Sequence, residues 1–163
     1  MHRICFVCLG NICRSPTAAG VMNHLIDHAG LNVQFIIDSA GTSAYHQGEP
    51  PDVRSRTAAA SRGITLTGSS RQFQVEDFHR FDHIIAMDTK NLENLHRMAR
   101  DEADHARISL MRDHDPNSPP GAEVPDPYYG GTDGFETVLD ICEAACRGLL
   151  ARLQAEPRAT TTG

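Results

Sequence analysis

Three residues in this chain have the types and spacing to do chemistry on a phosphate ester. Cys8 and Arg14 stand six positions apart in "FVCLGNICRSP", residues 6–16, and Asp126 stands between two prolines in "VPDPYYGG", residues 124–131. The thiolate is the nucleophilic form of cysteine, and a helix N-terminus or a nearby cation lowers a thiol's pKa from about 8.5. Arg14 offers a planar, permanently charged fork that matches phosphate oxygens. Between them, Leu9, Gly10, Asn11, Ile12 and Cys13 form a short loop leading to a helix that begins near Ser15. The successive backbone N–H groups of such a loop can turn inward and make a concave anion site. The Ser15 hydroxyl is placed to hydrogen-bond the thiolate and to stabilise it when it leaves.

A phosphate ester also needs its leaving oxygen protonated. Pro127 biases Asp126 toward an extended conformation and stiffens the presentation of its carboxylate, and Tyr128 and Tyr129 supply aromatic walls beside it. Each signal has a plainer reading when taken alone. C-x5-R is compatible with a buried strand cysteine and a surface arginine, and Asp126 with a turn aspartate followed by packing tyrosines. A strand before the loop, a glycine within it and a Ser-Pro helix start after it favour the chemical reading.

Positioning these groups falls to an alternation of short apolar runs and longer amphipathic segments. "RICFVC" (3–8) reads as a buried strand, and Ala18, Met22, Leu25 and Ala29 recur at helical spacing, with Pro16 in the first turn and Gly30 as the stop. "VQFIIDSAGT" (33–42) reads as a second strand and its turn. "PPDVRSRTAAASRG" (50–63) reads as a helix capped by Asp52. "FDHIIAMD" (81–88) is a third strand, followed by the helix "TKNLENLHRMA" (89–99) with Thr89 as its cap. "ARISL" (106–110) is a fourth strand, and residues 113–134, dense in Pro, Gly and Asp, read as a long loop. Phe135, Val138, Leu139, Cys142, Cys146, Leu149, Leu150 and Leu153 mark the apolar stripe of a last helix. The expected fold is therefore α/β: a single-domain four-stranded parallel sheet with helices on both faces. The domain is expected to span 1–153, with 154–163 a frayed, disordered tail. In open parallel sheets ligands bind beyond the carboxyl ends of the strands, which is where Cys8 falls.

Bulk properties narrow the field. The chain has 163 residues, 40% of them hydrophobic, which suits one domain with a proper core. A formal net charge of −6 argues against nucleic acid and acidic membrane surfaces as partners. Five cysteines at 5, 8, 13, 142 and 146 do not form a secreted disulfide framework. No signal peptide and no stretch of membrane-span length is visible, so a cytoplasmic protein with reduced thiols is expected. Cys5-x2-Cys8 lacks a second pair and does not make a metal site, so no metal and no cofactor are expected. Cys5, Cys142 and Cys146 read as core, and the nine histidines mostly as solvated surface.

"VCLGNICRSPTA", "DSAGT", "FDHIIAMD" and "DPYYGG", in that order, resemble the low-molecular-weight protein tyrosine phosphatases, and the resemblance is collinear from about Arg3 to Leu153. It implies a Cys8 nucleophile, an Arg14 phosphate clamp, a Ser15 helper and an Asp126 general acid. It also implies that Asn11 and Ser39 support the loop by hydrogen bonds, and that Tyr45, Tyr128 and Tyr129 line the entrance for an aromatic phosphoester. Cys13 is implied as the partner of Cys8 in a protective disulfide. The implied partners are phosphotyrosine proteins, a tyrosine kinase among them. In one departure, "GITLTGSSRQ" (63–72) places Gly68 where many members carry histidine, which removes one member of the network expected around Asn11.

Competing readings are set by other residues. Arsenate reductases related to this fold carry further redox cysteines in mid-chain, whereas none lies between Cys13 and Cys142 here. Phosphoarginine phosphatases resembling it carry Thr where this chain has Ile12, and Ile12 favours an aromatic substrate. A catalytically dead phosphate-binding module is disfavoured by Cys8, Arg14 and Asp126 standing together.

Overall fold

A computed structural model of the chain describes residues 1–128, 130, 131 and 133–156. Four parallel strands, β1 (His2–Cys8), β2 (Phe35–Gly41), β3 (His83–Ala86) and β4 (Ile108–Leu110), lie in the order β2-β1-β3-β4. Cys8 pairs with Gly41 on one side of β1, and Val7 pairs with Ala86 on the other. The chain leaves β1 toward β2 and later crosses to β3, so the topology reverses at β1. That reversal opens a crevice beyond the carboxyl end of the strand. Cys8 is the last residue of β1 and stands there.

Strand alternation divides the core. Ile4, Phe6 and Cys8 face α1 (Arg14–His28) and α6 (Asp133–Ala155), where Met22, Leu139, Cys142 and Leu149 are buried with them. Cys5 and Val7 face the opposite layer, built with Phe78 of α3 (Asp77–Arg80) and Leu95 of α4 (Thr89–Met98). The helix α2 (Val53–Ala60) adds Ala59 to the α1/α6 side. The sheet is thus covered on both faces, and Cys5, Cys142 and Cys146 are core residues as expected.

Several boundaries differ from the sequence expectation for local reasons. A 3₁₀ turn at Asn32–Gln34 delays β2 to Phe35. The cap of α4 is Asp88 rather than Thr89, because the Asp88 carboxylate accepts the N–H of Asn91 at 2.7 Å. Two short helices had no apolar stripe to announce them: α3, and α5 (Glu102–Ala106), which is capped by Asp101. The predicted loop begins in a second 3₁₀ turn, Met111–His114, and His114 there is buried rather than solvated. The expected stops hold elsewhere. Gly30 ends α1 with φ +69°, a left-handed conformation glycine adopts freely, and Asp52 caps α2 through the N–H of Arg54 at 2.8 Å. α6 runs to Ala155, two residues beyond the expected end of the domain, and residues 157–163 of the predicted tail lie outside the described residues. Among the described residues no helix is long and apolar enough to cross a membrane.

Candidate active site

The loop after β1 is held from outside by its carbonyl groups. Cys8 and Leu9 carbonyls accept the N–H groups of Thr42 and Ser43 at 2.9 and 3.0 Å, and the Ile12 carbonyl accepts that of Asp52 at 2.8 Å. The Gly10 carbonyl accepts the hydroxyl of Ser70 at 2.9 Å, and the Cys13 carbonyl accepts that of Thr17 at 2.7 Å. With the oxygens drawn outward, the peptide planes turn their N–H groups toward the interior of the loop. Glycine is needed at Gly41 of "DSAGT", where a Cβ would stand 2.7 Å from the Leu9 carbonyl oxygen.

Asn11 makes the sharpest turn. Its φ of +56° is the one left-handed conformation at a non-glycine residue among the described residues. Three hydrogen bonds hold it there: its amide donates to the hydroxyls of Ser15 (2.8 Å) and Ser39 (2.9 Å), and its carbonyl oxygen accepts the Arg71 N–H at 3.1 Å. In that conformation the Asn11 backbone N–H donates to the Cys8 sulfur at 3.3 Å. Ser15 Oγ lies 3.0 Å from the same sulfur. Gly68, at the position where resemblance anticipated a histidine, has φ +86° and lines a separate small cleft beside Asn11 and Ser39. The Asn11 side chain nonetheless has its oxygen and both donors engaged, with Arg71 supplying the contact that sequence reading left open.

Arg14 opens α1 and is nearly fully buried. Its guanidinium donates to Asp88 Oδ2 at 2.6 Å and to the Val124 carbonyl at 3.1 Å, and stands 3.6 Å from Asp126 Oδ2. Burial alone would weaken the charge. The Cys8 sulfur and the Asp88 and Asp126 carboxylates outweigh it and hold the Arg14 pKa above its ordinary value. Asp126 itself accepts the Tyr128 N–H at 3.0 Å, which fixes the carboxylate on its loop.

Cys8, Leu9, Gly10, Ile12, Cys13, Arg14, Asp126 and Tyr128 line one cavity of about 520 Å³, with Tyr45 at its edge, 91% exposed. The site residues expected from sequence thus converge, with Asn11, Ser15 and Ser39 behind the loop. Tyr129 lies outside the described residues. Ser70 and Arg71, which hold the loop from behind, escaped the sequence reading, and so did three further participants. Asp88 orients Arg14 from the end of β3, and Ser43 and His46 line the cavity mouth. The sequence reads the cap of α4 at Thr89, so neither task of Asp88 was signalled. Cys13, at the far end of the loop, is buried, and burial pushes its thiol up to about 12. All five cysteines are unpaired.

Comparison with known proteins places this geometry. The family model described as low molecular weight phosphotyrosine protein phosphatase matches residues 3–159. A low molecular weight protein-tyrosine-phosphatase of Streptomyces coelicolor is 47% identical over 161 residues, 97% of this chain and 98% of that one. Among solved structures, a protein tyrosine phosphatase of Entamoeba histolytica with Hepes in its active site superposes with a TM-score of 0.90 at 43% identity, covering 94% of this chain and 97% of that one. An arginine phosphatase of Drosophila also superposes, with a TM-score of 0.85 at 28% identity over 94% of this chain and 99% of that one. The chain belongs to the low molecular weight phosphotyrosine protein phosphatase family.

Proposed function

We propose that the chain hydrolyses phosphotyrosine in proteins through a phosphocysteine intermediate. One observation carries this reading: the Cys8 sulfur, Arg14 and the Asp126 carboxylate open into the same cavity, with the Asn11 N–H turned inward onto the sulfur. Cys8 Sγ attacks phosphorus, forming the S–P bond as the bond to the aryl oxygen breaks, and Asp126 gives its proton to the departing phenolate. The ionised Asp126 then takes a proton from water, whose oxygen attacks phosphorus. The S–P bond breaks, phosphate leaves, and the Ser15 hydroxyl stabilises the returning thiolate at 3.0 Å. Arg14 and the loop amides hold the equatorial oxygens throughout.

Tyr45, Tyr128 and the apolar wall of Ile12 suit an aromatic ester better than a guanidino phosphate. They favour the tyrosine substrate over the phosphoarginine reading that the Drosophila likeness raises. Arsenate reduction would need a relay of accessible thiols, and Cys142 and Cys146 are fully buried on α6. The protein is read as cytoplasmic, acting on phosphotyrosine proteins, a tyrosine kinase among them, with no metal or cofactor.

Turnover of para-nitrophenyl phosphate in the presence of EDTA tests the reading. The wild type is expected to turn over undiminished by the chelator. Cys8→Ser is expected to fall below roughly one per cent of wild-type activity while still binding phosphate or vanadate, since the loop amides and Arg14 hold the oxyanion. Residual turnover above a few per cent in Cys8→Ser, or loss of activity in EDTA, overturns it.

A further inference from the structure

Arg54 sits where the phosphate loop, the first turn of α6 and the loop bearing Asp126 meet. Its Nε and Nη2 donate to the two carboxylate oxygens of Asp52 at 3.1 and 3.0 Å, a two-toothed grip that fixes the plane of the guanidinium. Asp52 is itself anchored, because its backbone N–H donates to the Ile12 carbonyl of the phosphate loop at 2.8 Å. From this base the guanidinium lies over two rings, with its carbon 4.7 Å from the centre of Phe135 and 5.4 Å from that of Tyr128. Phe135 is buried against Ile12 and Cys13, so one side of the stack belongs to the rigid body. Tyr128 is the other side, and its N–H is the group bonded to Asp126 Oδ1. An unbroken series of contacts therefore runs from the phosphate loop through Asp52, Arg54 and Tyr128 to the Asp126 carboxylate, whose side chain is 37% exposed.

We propose that Arg54, gripped by Asp52, is a positioning residue for the general acid: its stack on Tyr128 sets where Asp126 stands relative to the phosphate loop. The inference rests on the reading of Asp126 as the acid. A general acid works only within hydrogen-bond reach of the oxygen it protonates, and small displacements are costly. A cation within reach of two rings suits this task, because it can tie the loop bearing Asp126 to α6 without bonding to the carboxylate itself. Arg54 touches neither the cavity nor the sulfur, and its effect travels through Tyr128.

The test is a series of aryl phosphates whose phenols range in pKa from about 4 to about 10, with kcat/KM measured for wild type, Asp126→Asn, Arg54→Met, Arg54→Lys and Asp52→Asn. Asp126→Asn should make the rate depend steeply on the leaving group. Arg54→Met should show the same tilt at smaller scale: about 10-fold loss with the poorest leaving group and under about 2-fold with the best. Arg54→Lys should fall between it and wild type, since it keeps the charge and loses the planar grip. Asp52→Asn keeps an α2 cap and loosens Arg54, and should tilt in the same direction. Inhibition by inorganic phosphate should stay within about 2-fold in all the Arg54 variants, because phosphate holding needs no acid. A uniform loss across the series, a loss that tracks weakened phosphate binding, or no loss in Arg54→Met overturns the inference. If Asp126→Asn is steep and Arg54→Met flat, only the positioning role falls. A flat Asp126→Asn removes the acid assignment and the inference with it.

Discussion

Asp88 does two things with its two carboxylate oxygens. Oδ1 accepts the N–H of Asn91 and caps α4, while Oδ2 accepts from Arg14 at 2.6 Å and sets the plane of its guanidinium. Asn caps a helix as well as Asp does, so the α4 cap should survive in Asp88→Asn, and any fall in the thermal-unfolding midpoint reports the lost partner of the buried Arg14. The asparagine amide would face the Arg14 guanidinium with a donor, and Arg14 should lose its aim. Activity is expected to fall about 10-fold or more, with weaker inhibition by phosphate, when steady-state kinetics and thermal denaturation are run side by side. A second residue-scale prediction concerns Cys13. Peroxide oxygenates the Cys8 thiolate to a sulfenic acid; attack by Cys13 then forms the S–S bond, breaks the S–O bond and releases water. Burial holds the Cys13 thiol at about 12, so the attacking thiolate is scarce at neutral pH. Protection should therefore be slow and should quicken about tenfold per pH unit well below that value. Dithiothreitol is expected to restore peroxide-treated wild type, whereas Cys13→Ser should lose activity permanently. Equal recovery of the two, or no Cys8–Cys13 link in peptide mapping, would remove the protective role.

At the scale of elements, two helical glycines test how closely the layers approach. A Cβ at Gly148 on α6 would collide with the carbonyl oxygen of His114, which belongs to the 3₁₀ turn packed beneath the helix. Backbone on both sides leaves no side chain to move aside. Gly148→Ala is expected to cost about 2 kcal/mol or more, read from urea denaturation, despite the better helix propensity of alanine. A Cβ at Gly20 on α1 meets the far end of the Leu66 side chain instead, which can rotate away. Gly20→Ala should change stability by less than about 1 kcal/mol in either direction, since propensity offsets the repacking. The difference separates a contact between backbones from one between a backbone and a flexible side chain.

For the molecule as a whole, His114 links stability to pH. It is 9% exposed, faces Ser109 Oγ at 2.8 Å and feels the positive charge of Arg152 and the ring of His83, with Asp113 opposing them. Burial first, and then those neighbours, push its pKa down from 6.5 to about 4. The fold thus favours the neutral ring, and the unfolded chain binds the proton first as pH falls. Stability is complete above the unfolded value of 6.5 and is lost as pH drops toward 4, amounting to about 2 kcal/mol by about pH 5. His83, also lowered by burial, adds in the same direction. Urea denaturation at about pH 7.5 and about pH 5 should show that loss in wild type, and His114→Gln should abolish most of it while keeping the bond to Ser109. An equal acid loss in His114→Gln would assign the effect elsewhere.

The groups legible in the sequence were those whose geometry is covalently local. Cys8 and Arg14 are tied to one cavity by a five-residue loop, so their spacing already states their relation. Asp52 caps α2 through the N–H two residues on, and the stripe of α6 repeats within single turns. Asp126, Tyr128 and the parallel sheet were legible through proline stiffness and alternation of elements. The short helices α3 and α5 were not, since neither buries a repeating face that a periodicity could reveal. Neither use of Asp88 was legible: the sequence places the cap at Thr89, and Arg14 lies 74 positions away, while a carboxylate looks the same in sequence whether its oxygens are idle or engaged. The Ser70 hydroxyl on the Gly10 carbonyl, the Arg71 N–H on Asn11 and the Arg54 stack share that character. Residue patterns express backbone preferences over a few positions. Which side chains meet across the crevice was decided by the order β2-β1-β3-β4, which brings the ends of β1 and β3 together.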